Sequence, residues 1–151
     1  MGAGKTTLGN ALAAQLGWDF VDLDKEIERH HGCGVPTLFE RMKETGFRKI
    51  EQQVLHQTVK QLQDPARTLQ SAVIACGGGT PCYAHNLAFM KASGFVIYIE
   101  VSPEILCERL LCTTASSRPM LPDRDPIQLL QSIQKLLTIR RPVYEAAHWR
   151  C

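Results

Sequence analysis

The residues of this chain best suited to chemistry begin almost at its start. Gly2-Ala3-Gly4-Lys5-Thr6-Thr7 sets glycines, a lysine and hydroxyls at the spacing of the rear part of a phosphate-binding loop. In that motif backbone N–H groups close around phosphate oxygens, the lysine bridges the outer phosphates and the following hydroxyl holds Mg²⁺. The amphipathic run Leu8 to Leu16 continues as a helix whose N-terminal dipole adds to the attraction. The first glycine of the full motif, G-x-x-x-x-G-K-[ST], falls two places ahead of Met1. The plainer alternative is a glycine-rich lead into an ordinary helix.

Further along, acidic and basic residues recur at spacings that bring pairs together. Asp22 and Asp24 end an alternating apolar and acidic run, Asp19 to Asp24, and side chains two apart on a strand share a face. The competing reading is a pair of surface aspartates capping the next helix. Arg48 and Glu51 stand three apart on a helix, beside the stripe Phe47, Ile50, Val54, Thr58 and Leu62. For an arbitrary helix such a pair is a solvated salt bridge. Gly77-Gly78-Gly79 follows the apolar run Ser71 to Cys76, which suits a backbone that a ligand approaches closely, or else a flexible turn. Cys112 to Pro126, with Arg118, Asp123, Arg124 and Asp125, reads as a mobile surface loop, and long loops inside compact domains are usually functional.

The elements that must hold these residues alternate between strand and helix. The periodicity predicts helices from Leu8 to Leu16, Lys25 to His31, Val35 through Met42 and Thr45 to Gln63. Further helices are expected at Tyr83 to Ser93, Ser102-Pro103-Glu104 to Leu111 and Ile127 to Ile139. Strands are expected near Asp19 to Asp22, Ser71 to Cys76 and Phe95 to Val101. Such alternation argues an α/β layered fold with a parallel sheet and helices on both faces.

Composition removes several classes of function. A net charge of +2 gives no polyanion-binding surface, so nucleic acid is not implied. No apolar run spans a bilayer and no secretory h-region is present, which places the chain in the cytoplasm without a membrane partner. The six cysteines follow neither CxxC nor zinc spacing and read as reduced thiols.

Taken in order, Gly-Ala-Gly-Lys-Thr, Asp22-Leu23-Asp24, Phe47-Arg48-Lys49-Ile50-Glu51, Gly77-Gly78-Gly79, Arg118-Pro119-Met120-Leu121 and Arg140-x-Pro142-x-Tyr144 resemble shikimate kinase over essentially the whole chain. The resemblance implies a P-loop NTPase fold of the nucleoside-monophosphate-kinase type. It implies one domain over residues 1–151 with a lid loop at about 112–126, acting as a monomer. It also implies passage of ATP's γ-phosphoryl group to the 3-hydroxyl of shikimate. By that resemblance Gly2, Ala3, Gly4, Lys5, Thr6 and Thr7 bind the nucleotide, with Lys5 on the outer phosphates and Thr6 and Asp22 at Mg²⁺. Asp24 would meet the shikimate hydroxyls as the base, Arg48 and Arg140 its carboxylate, Gly77, Gly78 and Gly79 its ring hydroxyls, and Arg118 the transferring phosphate.

The family places a strand and a glycine ahead of Met1, and a final strand and helix beyond Trp149. The chain is therefore expected to lack its first and last strands, to leave a discontinuity in the sheet, and to turn over weakly or not at all as it stands. The family's adenine-covering arginine falls at Leu111, which leaves Arg109 as the substitute. Two other functions fit the same phosphate loop: a different small-metabolite kinase such as gluconate kinase, and a non-catalytic nucleotide- or metabolite-binding remnant.

Overall fold

The computed structural model describes residues 2–64, 71–112 and 125–151. They group into two compact units, one over Gly4–Thr80 and the other over Pro81–Cys151 with the residues ahead of Gly4.

In the first unit, α1 (Lys5–Leu16) leads into β1 (Asp19–Asp22), α2 (Leu23–His31), α3 (Val35–Leu62) and β2 (Ala72–Ala75). β1 and β2 pair in parallel, Asp19 opposite Ala72 through Asp22 opposite Ala75. α1 starts at Gly4, whose φ of 84° is left-handed, and stops at Gly17, whose N–H closes back on the Ala13 and Ala14 carbonyls. Its leucine stripe is not its buried face. Leu8 and Leu16 are exposed, whereas Gly9 and Ala13 are buried. A Cβ on Gly9 would lie 2.7 Å from the Phe20 ring, so it is the small residues that let the helix approach the strand.

α2 begins two residues earlier than its charge pattern predicts. The Asp22 carboxylate accepts the amides of Asp24 and Lys25, which starts the helix at Leu23 and puts Asp24 in its first turn. Leu23 and Ile27 are then fully buried. The helices expected before and after Lys43 are both present, joined at that residue by φ 56° and ψ 179°. On a straight helix Phe39 and Phe47 would stand about 12 Å apart along the axis. The break at Lys43 brings their ring centroids to 4.2 Å.

The second unit contains α4 (Asn86–Ser93), β3 (Ile97–Tyr98), α5 (Pro103–Leu111), α6 (Pro126–Glu145) and β4 (Trp149–Arg150). Leu106 and Cys107 of α5 pack with Leu129 and Ile133 of α6 as its core. α4 is shorter than expected because Ala84 and His85 take positive φ, which a helix cannot accommodate. α6 runs past its expected end, through Pro142, which forgoes one ladder bond.

A short strand that the sequence reading did not expect, Trp149–Arg150, pairs in parallel with Ile97–Tyr98. Backbone bonds from Cys151 to Tyr98 and from Glu100 to Cys151 continue that ladder. Among the described residues the strands form two separate pairs, β1–β2 and β3–β4, as the expected discontinuity requires. The lid region at 113–124 lies outside the described residues.

Burial predicts where stability resides. Leu55, 1% exposed, should lose about 2–5 kcal/mol on substitution by alanine. Ile127, 69% exposed, should change by no more than about 0.5 kcal/mol on the same substitution, both measured by urea denaturation.

Candidate active site

The phosphate-loop residues open α1. Gly2 and Gly4 have φ of 69° and 84°, conformations that a side chain would strain. Lys5 is the first helical residue, and Thr6 donates its hydroxyl to Asp22 Oδ2 at 3.0 Å. Asp22 thus does two things at once: one carboxylate oxygen caps α2 and the other receives Thr6. The helix-cap reading of this aspartate is borne out, and the same carboxylate also reaches Thr6 of the loop. Thr7 lies exposed one position on. Thr6 and Asp22 together supply the hydroxyl and carboxylate oxygens that suit Mg²⁺, which takes one or two protein ligands and fills the rest with phosphate and water.

Asp24 sits where Asp22, Glu51 and Glu28 all act on it, with Lys5 opposing them. Its pKa is raised above the ordinary 3.8, first by burial of the carboxyl and then by Asp22 and Glu51, although the residue keeps an open face to solvent. A carboxylate so raised is a better proton acceptor. Next to this group the Cys76 thiol is pushed up to about 12, by burial and then by Glu51, so it stays protonated and takes no part as a nucleophile.

Arg48 and Glu51 are not a solvated pair. Arg48 Nη1 donates to Glu51 Oε2 at 2.6 Å with Glu51 fully buried, and Thr80 donates its hydroxyl to Glu51 Oε1, also at 2.6 Å. The guanidinium carbon lies 5.8 Å and 5.5 Å from the Phe39 and Phe47 ring centroids, within cation–π range. Its Nη2 edge faces the exposed Glu44 at 3.5 Å. The solvated expectation fails because α3 carries this pair toward β2 and the glycine turn that follows it.

That turn explains two of its glycines. A Cβ on Gly79 would overlap the Arg48 guanidinium, and one on Gly77 would lie 2.7 Å from Glu51 Oε1 and 3.8 Å from Asp24 Oδ1. Gly78 lies between them, partly buried. The flexible-turn reading therefore gives way to close packing against charged groups. Lys5, Thr6, Asp22, Asp24, Arg48, Gly77 and Gly79 all belong to the first unit.

Arg140 belongs to the second unit, on α6 beside Tyr144. It hydrogen-bonds the Tyr144 phenol, whose pKa burial raises against the opposing pull of that arginine. Arg109 Nη1 donates to the Gly2 carbonyl at 3.1 Å, next to the start of the phosphate loop. Arg118 lies outside the described residues.

Comparison with known proteins places this arrangement. The shikimate kinase family profile matches residues 1–151. This chain belongs to the shikimate kinase family. It is 36% identical to the shikimate kinase of Bacteroides thetaiotaomicron over 149 residues, 99% of this chain and 80% of that protein. It is 41% identical to that of Parasynechococcus marenigrum over 147 residues, 97% of this chain and 70% of the relative. The crystal structure of the B. thetaiotaomicron enzyme superposes with a TM-score of 0.88, covering 99% of this chain and 80% of that one. The Acinetobacter baumannii enzyme, solved in complex with shikimate, gives a TM-score of 0.84 at 37% identity, over 100% of this chain and 78% of that one. The P-loop NTPase fold expected from the motifs is the fold of these neighbours, and members of the shikimate kinase family are phosphotransferases.

Within this shikimate kinase framework the motifs did not reveal the roles of Thr80 and Cys76. Thr80 follows the glycine triplet directly, so its place was readable, but its partner lies 29 residues away. No local spacing encodes that bond.

Asp24 makes a pH prediction whose sign follows from its direction of shift. The folded state holds the Asp24 proton more tightly than the unfolded state, so this group costs stability as pH rises from 3.8 through its raised value. Asp24→Asn should therefore gain stability relative to the parent chain at pH 7 and lose that advantage below 3.8. Denaturant titrations at the two pH values would measure it, and an equal difference at both would contradict the assignment.

Proposed function

We propose that this chain transfers the γ-phosphoryl group of ATP to the 3-hydroxyl of shikimate. The observation that carries the reading is the buried Arg48 guanidinium, held by Glu51 through Nη1 and facing the exposed Glu44 through Nη2, in the same unit as Asp24 and the Lys5-Thr6 loop. Its Nη2 edge faces the exposed Glu44 at 3.5 Å, and a substrate carboxylate would take that place with the two-pronged geometry an arginine favours. Arg140 is assigned to the substrate carboxylate on the family resemblance alone.

Phosphoryl transfer asks a protein for positioning and charge neutralisation more than for covalent chemistry. Lys5 neutralises the outer phosphates, and the loop amides of Gly2 to Thr7 cradle them. Thr6 and Asp22 would hold Mg²⁺, which neutralises phosphate charge when bound. Asp24 accepts the proton of the 3-hydroxyl as that oxygen attacks phosphorus and ADP leaves. Gly77, Gly78 and Gly79 bring backbone polar groups to the ring hydroxyls, and side chains at Gly77 and Gly79 would strike Glu51 and Arg48. Arg118 is assigned to the transferring phosphate on sequence alone, within a lid at about 112–126. The reading extends to a single-domain cytoplasmic monomer with no nucleic-acid or membrane partner. No described helix is long and apolar enough to cross a membrane.

Shikimate-dependent ADP release and shikimate binding, with gluconate as the control substrate, test the proposal. Lys5→Met should abolish release while shikimate binding persists, because the lysine acts on charge that builds during transfer. Arg48→Ala should weaken shikimate binding by about 2–5 kcal/mol and leave ATP binding little changed. Gluconate turnover without any shikimate binding would overturn the assignment.

A further inference from the structure

Glu51 is a buried carboxylate held from two directions. Arg48 binds Oε2 and Thr80 binds Oε1, each at 2.6 Å, short contacts of the charge-assisted kind. An ionised carboxylate only accepts, so the threonine hydroxyl must be the donor. The Thr80 side chain belongs to the glycine turn, which its own amide closes on the Gly77 carbonyl at 3.1 Å. Thr80 and Glu51 are both fully excluded from solvent.

These contacts form a closed circuit. Gly79 lies against the Arg48 guanidinium, Arg48 against Glu51, Glu51 against Thr80, and Thr80 is the next residue after Gly79. With Arg48 alone, the Glu51 carboxylate would be free to pivot about a single contact. A second donor on its other oxygen fixes the plane of the carboxylate, and with it the direction in which Arg48 presents its remaining edge.

We propose that Thr80 is a positioning residue for substrate recognition: through Glu51 it fixes the Arg48 guanidinium in the orientation that receives the substrate carboxylate. This rests on the shikimate reading given above for the identity of the ligand, while the fixing of Arg48 stands on its own geometry. Thr80 touches neither nucleotide nor reacting hydroxyl in this role, so its loss should act on substrate affinity rather than on the chemical step.

Three substitutions test it. Thr80→Val keeps the branched shape and deletes the hydroxyl, Thr80→Ala deletes the side chain, and Thr80→Ser keeps the donor. In the valine and alanine variants the KM for shikimate should rise about ten-fold, because the guanidinium must then be ordered as the substrate binds, with kcat and the KM for ATP nearly unchanged. The serine variant should restore the parent values.

A second readout is independent of turnover. Nitrogen-15 spectra of the Arg48 side chain should give separate, slowly exchanging Nη signals in the parent and serine chains, and averaged signals in the valine and alanine chains. Resolved Arg48 signals with an unchanged shikimate KM in folded Thr80→Val would overturn the inference. So would a fall in kcat alone. Should the parent chain neither bind nor phosphorylate shikimate, the functional reading fails, and the Arg48 spectra still decide the role of Thr80. If alanine and valine both prevent folding, failure of the serine chain to match the parent spectrum overturns it.

Discussion

The buried Arg48–Glu51 pair is the interaction on which the site depends. Removing two charges from water costs several kcal/mol for each, and attraction offsets that only where the geometry is good and the remaining lone pairs are met. Here both conditions hold. Glu51 gives one oxygen to Arg48 and the other to Thr80, and no described buried side-chain polar atom is left without a partner. The demands of this pair spread outward. Gly79 must lack a side chain because the guanidinium occupies its space, and Gly77 because Glu51 does.

The aromatic floor beneath Arg48 has its own structural requirement. Phe39 and Phe47 come from the two segments of α3 and meet only because the chain turns sharply at Lys43. The φ and ψ of that residue belong to a region that side chains rarely adopt, a conformation worth about 1–3 kcal/mol of strain. The tilted contact of the two rings and the cation–π contacts are the interactions on the other side of that balance. The break lies beside Glu44, whose exposed carboxylate faces the Nη2 edge of Arg48.

Electrostatics in the rest of the site follow from crowding carboxylates around one lysine. Asp22, Asp24 and Glu51 lie within reach of each other's charge, and the consequences differ by environment. Asp22 is committed to two helix amides and the Thr6 hydroxyl. Asp24, its carboxyl buried and set beside Asp22 and Glu51, holds its proton more tightly than an ordinary aspartate.

Much of this was legible from residue order. The phosphate loop, the alternation of helix and strand, the acidic residues after β1 and the break after α3 all depend on spacings within a few residues, where local geometry dictates neighbours. The Arg48–Glu51 contact was readable for the same reason, since residues three apart on a helix meet. Its burial was not, because exposure depends on what packs against a helix face. The same holds for α1, where the leucines predicted an apolar stripe and Phe20 selected Gly9 and Ala13 instead. The short strand at Trp149–Arg150 was not expected because two residues carry no periodicity, and only their pairing with Ile97 and Tyr98 makes them a strand. Sequence by itself determined which chemical groups this protein has and which near neighbours share a helix face. Tertiary structure alone decided that Thr80 meets Glu51 and that Gly79 meets Arg48, since contacts between distant residues come from packing α3 against the glycine turn that follows β2, and no short-range spacing encodes it.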